Sequence, residues 1–220
     1  MLADHILFID NEALIVDKPA GLPVDPPRNG GLSVENHLQA LMLGYKAWPK
    51  PAHRLDRDTS GCLLLGRSDK AHRRLSRAFE EGQVAKRYLA IVDGVPDTQG
   101  GVIDMSLGKR STIEAGWRMV ADPAGKPART HWAVLSVADG RALIELRPET
   151  GRTHQLRVHA ASGIGHAITG DPYYGIAHAG GMMLHAADLS IARTAKPAIV
   201  AHAPFPARFA ALGFADPDGE

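Results

Sequence analysis

The densest chemistry in the chain lies in one stretch, PAHRLDRDTSGCLLLG, residues 51–66. Two carboxylates (Asp56, Asp58), two guanidinium groups (Arg54, Arg57), His53 and a Thr59-Ser60-Gly61 turn stand directly before an aliphatic run. A carboxylate entering a buried strand is costly unless cations or donors keep it ionised, and one kept so is a competent nucleophile or electrostatic group. A structural salt bridge is the plainer explanation of the same pattern. Asp56 and Asp58 also spell D-x-D, which could clamp a divalent ion for nuclease or phosphotransfer chemistry. A third reading is a non-catalytic RNA-binding module in which Asp56 is only structural.

Other constellations carry less. Gly61 to Ser68 has phosphate-loop spacing, but Cys62-Leu63-Leu64-Leu65 reads as a buried strand and not as a flexible cradle of N–H groups. His154, His159 and His166 lack zinc spacing and are expected to be structural. Thr59-Ser60-Gly61 is not a hydrolase elbow and reads as a turn.

These groups need a frame. The chain has 220 residues, 45% of them hydrophobic, enough for a packed core. Its one cysteine, Cys62, rules out a disulfide framework, reads as a small buried hydrophobe and fits a reducing cytoplasm. No apolar run is long enough to span a membrane, and the start of the chain has no basic, apolar leader, so a soluble cytoplasmic protein is expected. Net charge is only +1, yet residues 53–87 hold nine Lys or Arg against five acids. That basic stretch is either a solvated face or a phosphate footprint.

The coarse reading opens with a strand pair, HILFID and ALIVDK, then a Pro/Gly-rich loop. Ser33 can cap a helix burying Val34, Leu38, Leu41 and Met42 that ends at Gly44, and CLLLG is a buried strand. Ser68 or Asp69 caps an amphipathic helix with Ala71, Leu75, Ala78 and Phe79 inward, closed by Gly82. RYLAIVDG, GVIDMSL, THWAVLSVA and ALIELRP follow as strands. GRTHQLRVHAAS reads as a helix opened by Thr150 or Thr153, with Leu156 and Ala160 on one face. MMLHAADLSI, AIVAH and a short helix near residues 205–212 close the chain. Many strands joined by loops predict an α+β protein: a mixed, largely antiparallel sheet with flanking helices, residues 1–220 as a single domain.

HRLDRDTSG preceded by DKPAG, then KRYLA, then RPETGRTHQLRVHAAS and GHAITGDPYYG, taken in this order, resemble the RluA-type family of RNA pseudouridine synthases over nearly the whole chain. The resemblance implies the pseudouridine synthase fold with a central active-site cleft, and Asp56 as the catalytic aspartate. It makes Tyr88 the ring stacking on the uracil, Arg157 the ion-pair partner that keeps Asp56 charged, Leu156 a pocket hydrophobe, and Arg54 the side chain entering the RNA stack. Arg57, Arg67 and Arg87 are expected to bind RNA phosphates. The implied activity converts uridine to pseudouridine in structured ribosomal or transfer RNA. No metal or other cofactor is expected, because the reaction has no redox or phosphoryl step. RNA is the expected partner and a monomer the expected state. Two departures stand out: the chain reaches its first catalytic strand without a preceding S4 domain, and Ala167 follows His166 where proline is common.

Overall fold

The computed structural model describes residues 2–112 and 116–219. In chain order the strands are β1 (Ile6–Ile9), β2 (Ala13–Lys18), β3 (Lys50–Pro51), β4 (Ser60–Gly66), β5 (Val84–Asp93) and β6 (Gly100–Asp104), followed by β7 (Leu107–Thr112), β8 (Gly116–Ala121), β9 (Arg129–Ala138), β10 (Arg141–Pro148), β11 (Leu184–Ile191) and β12 (Ile199–His202). The α-helices are α1 (Asp69–Glu80), α2 (Gln155–Val158) and α3 (Ala207–Ala210). The contacts divide into two compact units, one from the described residues of Met1–Lys86 and His185–Pro204, the other from those of Arg87–Leu184 and Phe205–Glu220.

In the first unit the strand order is β1-β2-β4-β11, with β3 also pairing β4 and β12 pairing β11. All these pairs are antiparallel except β11 with β4, which run parallel with His185 opposite Ser60 and Ala186 opposite Gly61. The sheet is therefore mixed, as expected. Every residue of β4 is buried, which is why its sequence is an unbroken apolar run and does not alternate. Helix α1 covers one face of it. The Ser68 hydroxyl accepts from the Ala71 amide and caps the helix, and Ala71, Leu75 and Ala78 are buried along one side. Leu75 and Ala78 join Ile15, Cys62 and Leu64 in the core, and Phe79 packs against its margin. Gly82, at φ +70°, stops the helix in the left-handed region.

The helix expected after Ser33 is a single 3-10 turn, Val34–His37. The Ser33 amide donates to Asn36 Oδ1 at 2.8 Å, so the cap forms. Leu43 (φ +45°) and Gly44 (φ +88°) then turn the chain within a few residues, too soon for helix propagation to offset nucleation. Val34, Leu38 and Leu41 are buried all the same.

The second unit carries strands in the order β5-β10-β9-β6, all antiparallel, and a separate two-stranded ribbon of β7 and β8. The helix expected from GRTHQLRVHAAS is shorter and starts later than a threonine cap would give. His154, in the left-handed region at φ 52°, precedes Gln155, and a π-helical turn, His159–Ile164, continues α2 to Gly165. Thr150 is spent elsewhere, since its hydroxyl accepts from the Arg129 amide and donates to Gln155 Oε1. Strands β3, β7 and β8 have no counterpart in the sequence expectation, whose GVIDMSL strand reaches only the first residue of β7. Among the described residues, no helix is long and apolar enough to cross a membrane.

Candidate active site

Asp56 sits half-buried on the turn that leads into β4. Its carbonyl accepts from the Thr59 amide at 3.1 Å, closing the turn, and Leu55 beside it is buried. The next carbonyl, that of Arg57, is fixed from the first unit's N-terminal segment. It accepts from the Gly21 amide at 2.9 Å and from Lys18 Nζ at 3.0 Å. Lys18 is fully buried, and its ammonium also donates to the carbonyls of Pro19 and Leu22. A buried cation is costly, and these three carbonyl acceptors offset that cost only while all are in place, so it locks both loops into one shape. The DKPAG motif thus has a mechanical role that sequence reasoning does not assign.

On the far side of the turn Gly61 adopts φ +104°, and a Cβ there would lie 2.2 Å from the Ala186 carbonyl oxygen. Only glycine fits that approach of β4 to β11. Ser60 is buried, with its hydroxyl 2.8 Å from His185 Nδ1. It faces the interior as the first residue of β4 and is no exposed nucleophile; the turn itself falls on Arg57 and Asp58, ahead of the Thr59-Ser60-Gly61 expected to form it. His53 stacks on Phe79 with ring centroids 4.1 Å apart, and its Nε2 accepts from the Leu64 amide. Burial, helped by the charge of Lys86, drives its pKa down to about 3, so the ring is neutral. Cys62 is buried, and loss of solvation pushes its thiol up to about 12, reinforced by the charges of Asp188 and Asp17. The expectation of an inert thiol holds. Because Cys62-Leu63-Leu64-Leu65 lies inside β4, the rejection of a phosphate loop holds as well.

Tyr88, Leu156 and Arg157 belong to the second unit. Tyr88 is half-buried on β5 opposite Leu146, and Leu156 is buried. Arg157 is buried and bound in a fork-to-fork pair with Asp171: Nε donates to Oδ2 and Nη2 to Oδ1, both at 2.7 Å. Asp171 is fully buried, and its Oδ1 also accepts the Tyr173 and Tyr174 amides. The guanidinium carbon lies 5.2 Å from the centroid of each of those two tyrosine rings. This bidentate geometry fixes the guanidinium plane more firmly than a single contact could. Asp171 falls within GDPYYG, yet sequence reasoning gives it no role. The sequence offers no local signal for it; Gly170, at φ +80° and in tight approach to Gly181, shapes the loop that presents it.

The expected RNA-contacting arginines separate. Arg54 is exposed and pairs with Asp25 at 3.1 Å. Arg57 is exposed, and its Nε and Nη2 donate to both oxygens of Asp58. That pairing neutralises the second carboxylate of D-x-D and weighs against a metal clamp. Arg67 departs from the phosphate-contacting role. It is buried, donates to the carbonyls of Asp10, Met42 and Leu43, and lies 3.8 Å over the Tyr45 ring. A guanidinium engaged by three carbonyls is structural, since leaving those acceptors would orphan them. Arg87 departs likewise, being largely buried and engaged by Glu145 and Asp218.

The histidines act structurally, as expected. His159 bonds Thr130 Oγ1 and the Met105 carbonyl, and His166 bonds the Asp93 carbonyl. His154 Nδ1 lies 2.9 Å from the Tyr174 hydroxyl.

A family model described as RNA pseudouridylate synthase matches residues 12–162. An uncharacterized RNA pseudouridine synthase of Zymomonas mobilis is 58% identical over 217 residues, covering 97% of this chain and 99% of its own length. The ribosomal large subunit pseudouridine synthase D of the same organism is 41% identical over 181 residues, 78% of this chain. The match takes in 56% of that relative, so the chain spans about half its length. Among solved structures, human RNA pseudouridylate synthase domain containing 4 is similar with a TM-score of 0.78 at 29% identity, over 95% of this chain and 91% of that one. Human RNA pseudouridylate synthase domain containing 1 gives 0.77 at 30% identity, over 92% and 83%.

Proposed function

The chain belongs to the RNA pseudouridylate synthase family, and on that premise we propose that it isomerises specific uridines of structured RNA to pseudouridine, with Asp56 as the catalytic carboxylate. The reaction breaks the N1–C1′ bond, turns the uracil while it is held, and joins C1′ to C5. A base stacked in a helix hides both C1′ and C6, so the uridine must be flipped out first. Asp56 supplies the negative oxygen, Arg157 the guanidinium charge that favours it, Tyr88 a flat ring for the uracil, and Leu156 an apolar wall. Arg54 serves the RNA stack and Arg57 the phosphates. In this reading both units act as one catalytic domain, working as a monomer in the cytoplasm.

The observation that carries the proposal is the construction of the Asp56 turn. A buried lysine and a backbone amide pin the carbonyl of the very next residue, and Gly61 closes the other side. A reacting group must be held within a fraction of an ångström of its productive position, and this loop is built to do so. The names of the large-subunit relatives favour ribosomal RNA over transfer RNA as the substrate. Pseudouridine-specific chemical mapping of RNA from cells with and without the protein identifies the target. Asp56→Asn is expected to abolish the modification while RNA binding persists; substantial turnover by that variant, or RNA cleavage that stops when a chelator is added, refutes the proposal.

A further inference from the structure

The buried pair of Arg157 and Asp171 is one side of a larger frame. His154 stands three positions before Arg157, Tyr174 stands three positions after Asp171, and His154 Nδ1 meets the Tyr174 hydroxyl at 2.9 Å. Both three-residue spans are fixed. The His154 carbonyl accepts the Val158 amide at 3.0 Å as α2 begins, and the Asp171 carboxylate accepts the Tyr174 amide at 3.2 Å. The four residues therefore close a ring, with the charged pair on one edge and the imidazole–phenol bond on the opposite edge.

The corner at His154 is strained. Its φ of 52° and ψ of 18° are left-handed, a conformation that costs free energy for a residue with a Cβ and persists only where the surroundings over-determine it. The side chain supplies that hold, since Nδ1 is bonded to the phenol and the Trp117 ring stacks on the imidazole at 5.4 Å. Tyr174 is held as firmly. Its hydroxyl accepts the Met119 amide at 3.1 Å, which leaves the phenol proton to donate to Nδ1, and its ring centroid lies 5.2 Å from the Arg157 guanidinium carbon. A bidentate ion pair fixes the guanidinium relative to its carboxylate. As a single link between two segments, however, it still lets them pivot about it. A second link three residues away on each side stops the pivot.

We propose that the His154–Tyr174 bond is a positioning device for Arg157, setting where the guanidinium stands during the isomerisation. The inference rests on the reaction proposed above and adds two positioning residues to it, both of which act through Arg157.

RNA purified from cells lacking the protein is the probe, and the full chain is supplied in excess. Pseudouridine formation at the mapped uridine is followed in single turnover over a range of protein concentrations, which gives a limiting rate and a half-saturating concentration; urea unfolding checks each variant's stability. Tyr174→Phe keeps the ring beside Arg157 and removes only the hydroxyl. Its limiting rate is expected to fall roughly 10-fold, within the loss of about 100-fold that an ångström of misplacement can cause. The half-saturating concentration should change by less than about 2-fold, because binding of the ground state is untouched. His154→Gly keeps the left-handed backbone and loses the ring, so it should show the same loss. The double variant should stay within about 2-fold of either single, since all three remove one bond. Tyr45→Phe is the control: it loses a hydroxyl that donates to the Asn11 carbonyl at 2.9 Å in the first unit, and should keep the wild-type rate. A wild-type rate in Tyr174→Phe or His154→Gly, an equal loss in Tyr45→Phe, a loss carried by the half-saturating concentration alone, or a double variant whose losses multiply overturns the inference. A wild-type chain that makes no pseudouridine sinks the isomerase reading and this inference with it, whereas an active wild type with an unaffected Tyr174→Phe sinks the positioning role alone.

Discussion

Replacing Asp171 with asparagine removes one charge from a pair in which both groups are buried and the two N–O contacts are 2.7 Å. The new amide side chain would keep an acceptor for the Tyr173 and Tyr174 amides, so the perturbation falls on the guanidinium. Breaking a buried pair of this kind by removing one partner costs about 3 to 5 kcal/mol. With a urea m-value of about 2 to 3 kcal/mol/M for a chain of this size, the unfolding midpoint should drop by about 1 to 2 M. Arg157→Met alone should cost a similar amount, because it strands the Asp171 carboxylate. The double variant Arg157→Met with Asp171→Asn removes both charges of the pair and retains the amide acceptor, so it should recover at least about 2 kcal/mol relative to the sum of the singles. Stability and catalysis then part company. If Arg157 serves the reaction, the double variant is well folded yet inactive in a single-turnover pseudouridine assay. A double variant whose destabilisation equals the sum of the singles, or an Asp171→Asn cost below about 1 kcal/mol, would refute the claim that the pair is a coupled buried unit.

His53, with its pKa held near 3 by burial, binds a proton only when the chain unfolds. Its contribution to stability is therefore intact above the unfolded value near 6.5 and shrinks as pH falls toward 3. His53→Gln should remove about 2 kcal/mol of the stability difference between pH 6.5 and pH 4.5, measured by urea unfolding at both values; an unchanged difference would show that the ring is already charged in the folded protein. Cys62, pushed up to about 12, should resist a thiol reagent at pH 8 in the native protein and react once urea is added, whereas rapid native labelling would contradict its burial. Gly61→Ala should cost about 3 kcal/mol or more, because the added Cβ meets the Ala186 backbone 2.2 Å away; a wild-type midpoint would mean that β4 and β11 can move apart freely.

What can be read from the sequence is what local physics enforces. Helix α1 is legible because Ser68, an apolar stripe and Gly82 all mark the same segment. β4 is legible because a strand buried on both faces leaves an unbroken aliphatic run. The Asp56 turn is legible from its density of charge, and the ordered motifs supply the rest. Positions decided by distant partners are not. Arg67 looks like any basic surface residue until Tyr45 and three carbonyls are seen around it. Lys18 gives no local hint that it is fully buried, and Asp171 gives none that it holds Arg157. β8 begins at Gly116 and contains Arg118, so a weakly apolar ribbon strand hides behind its composition. His154 opens α2 in a left-handed conformation that no capping rule assigns to histidine.

The parallel pairing of β4 with β11 also has a consequence for biosynthesis. Ser60 meets His185 across 125 positions of chain, and β12 follows later still. A nascent polypeptide that has emerged only as far as α1 already holds the whole reactive turn but lacks the neighbour that closes it. Such long-range closure slows folding and leaves an open sheet edge during elongation. The Asp56 turn is therefore closed only after residues 184–204 have left the ribosome, so a fragment ending between residues 157 and 184 would contain Asp56, Tyr88 and Arg157 and still lack the strand that packs against the turn.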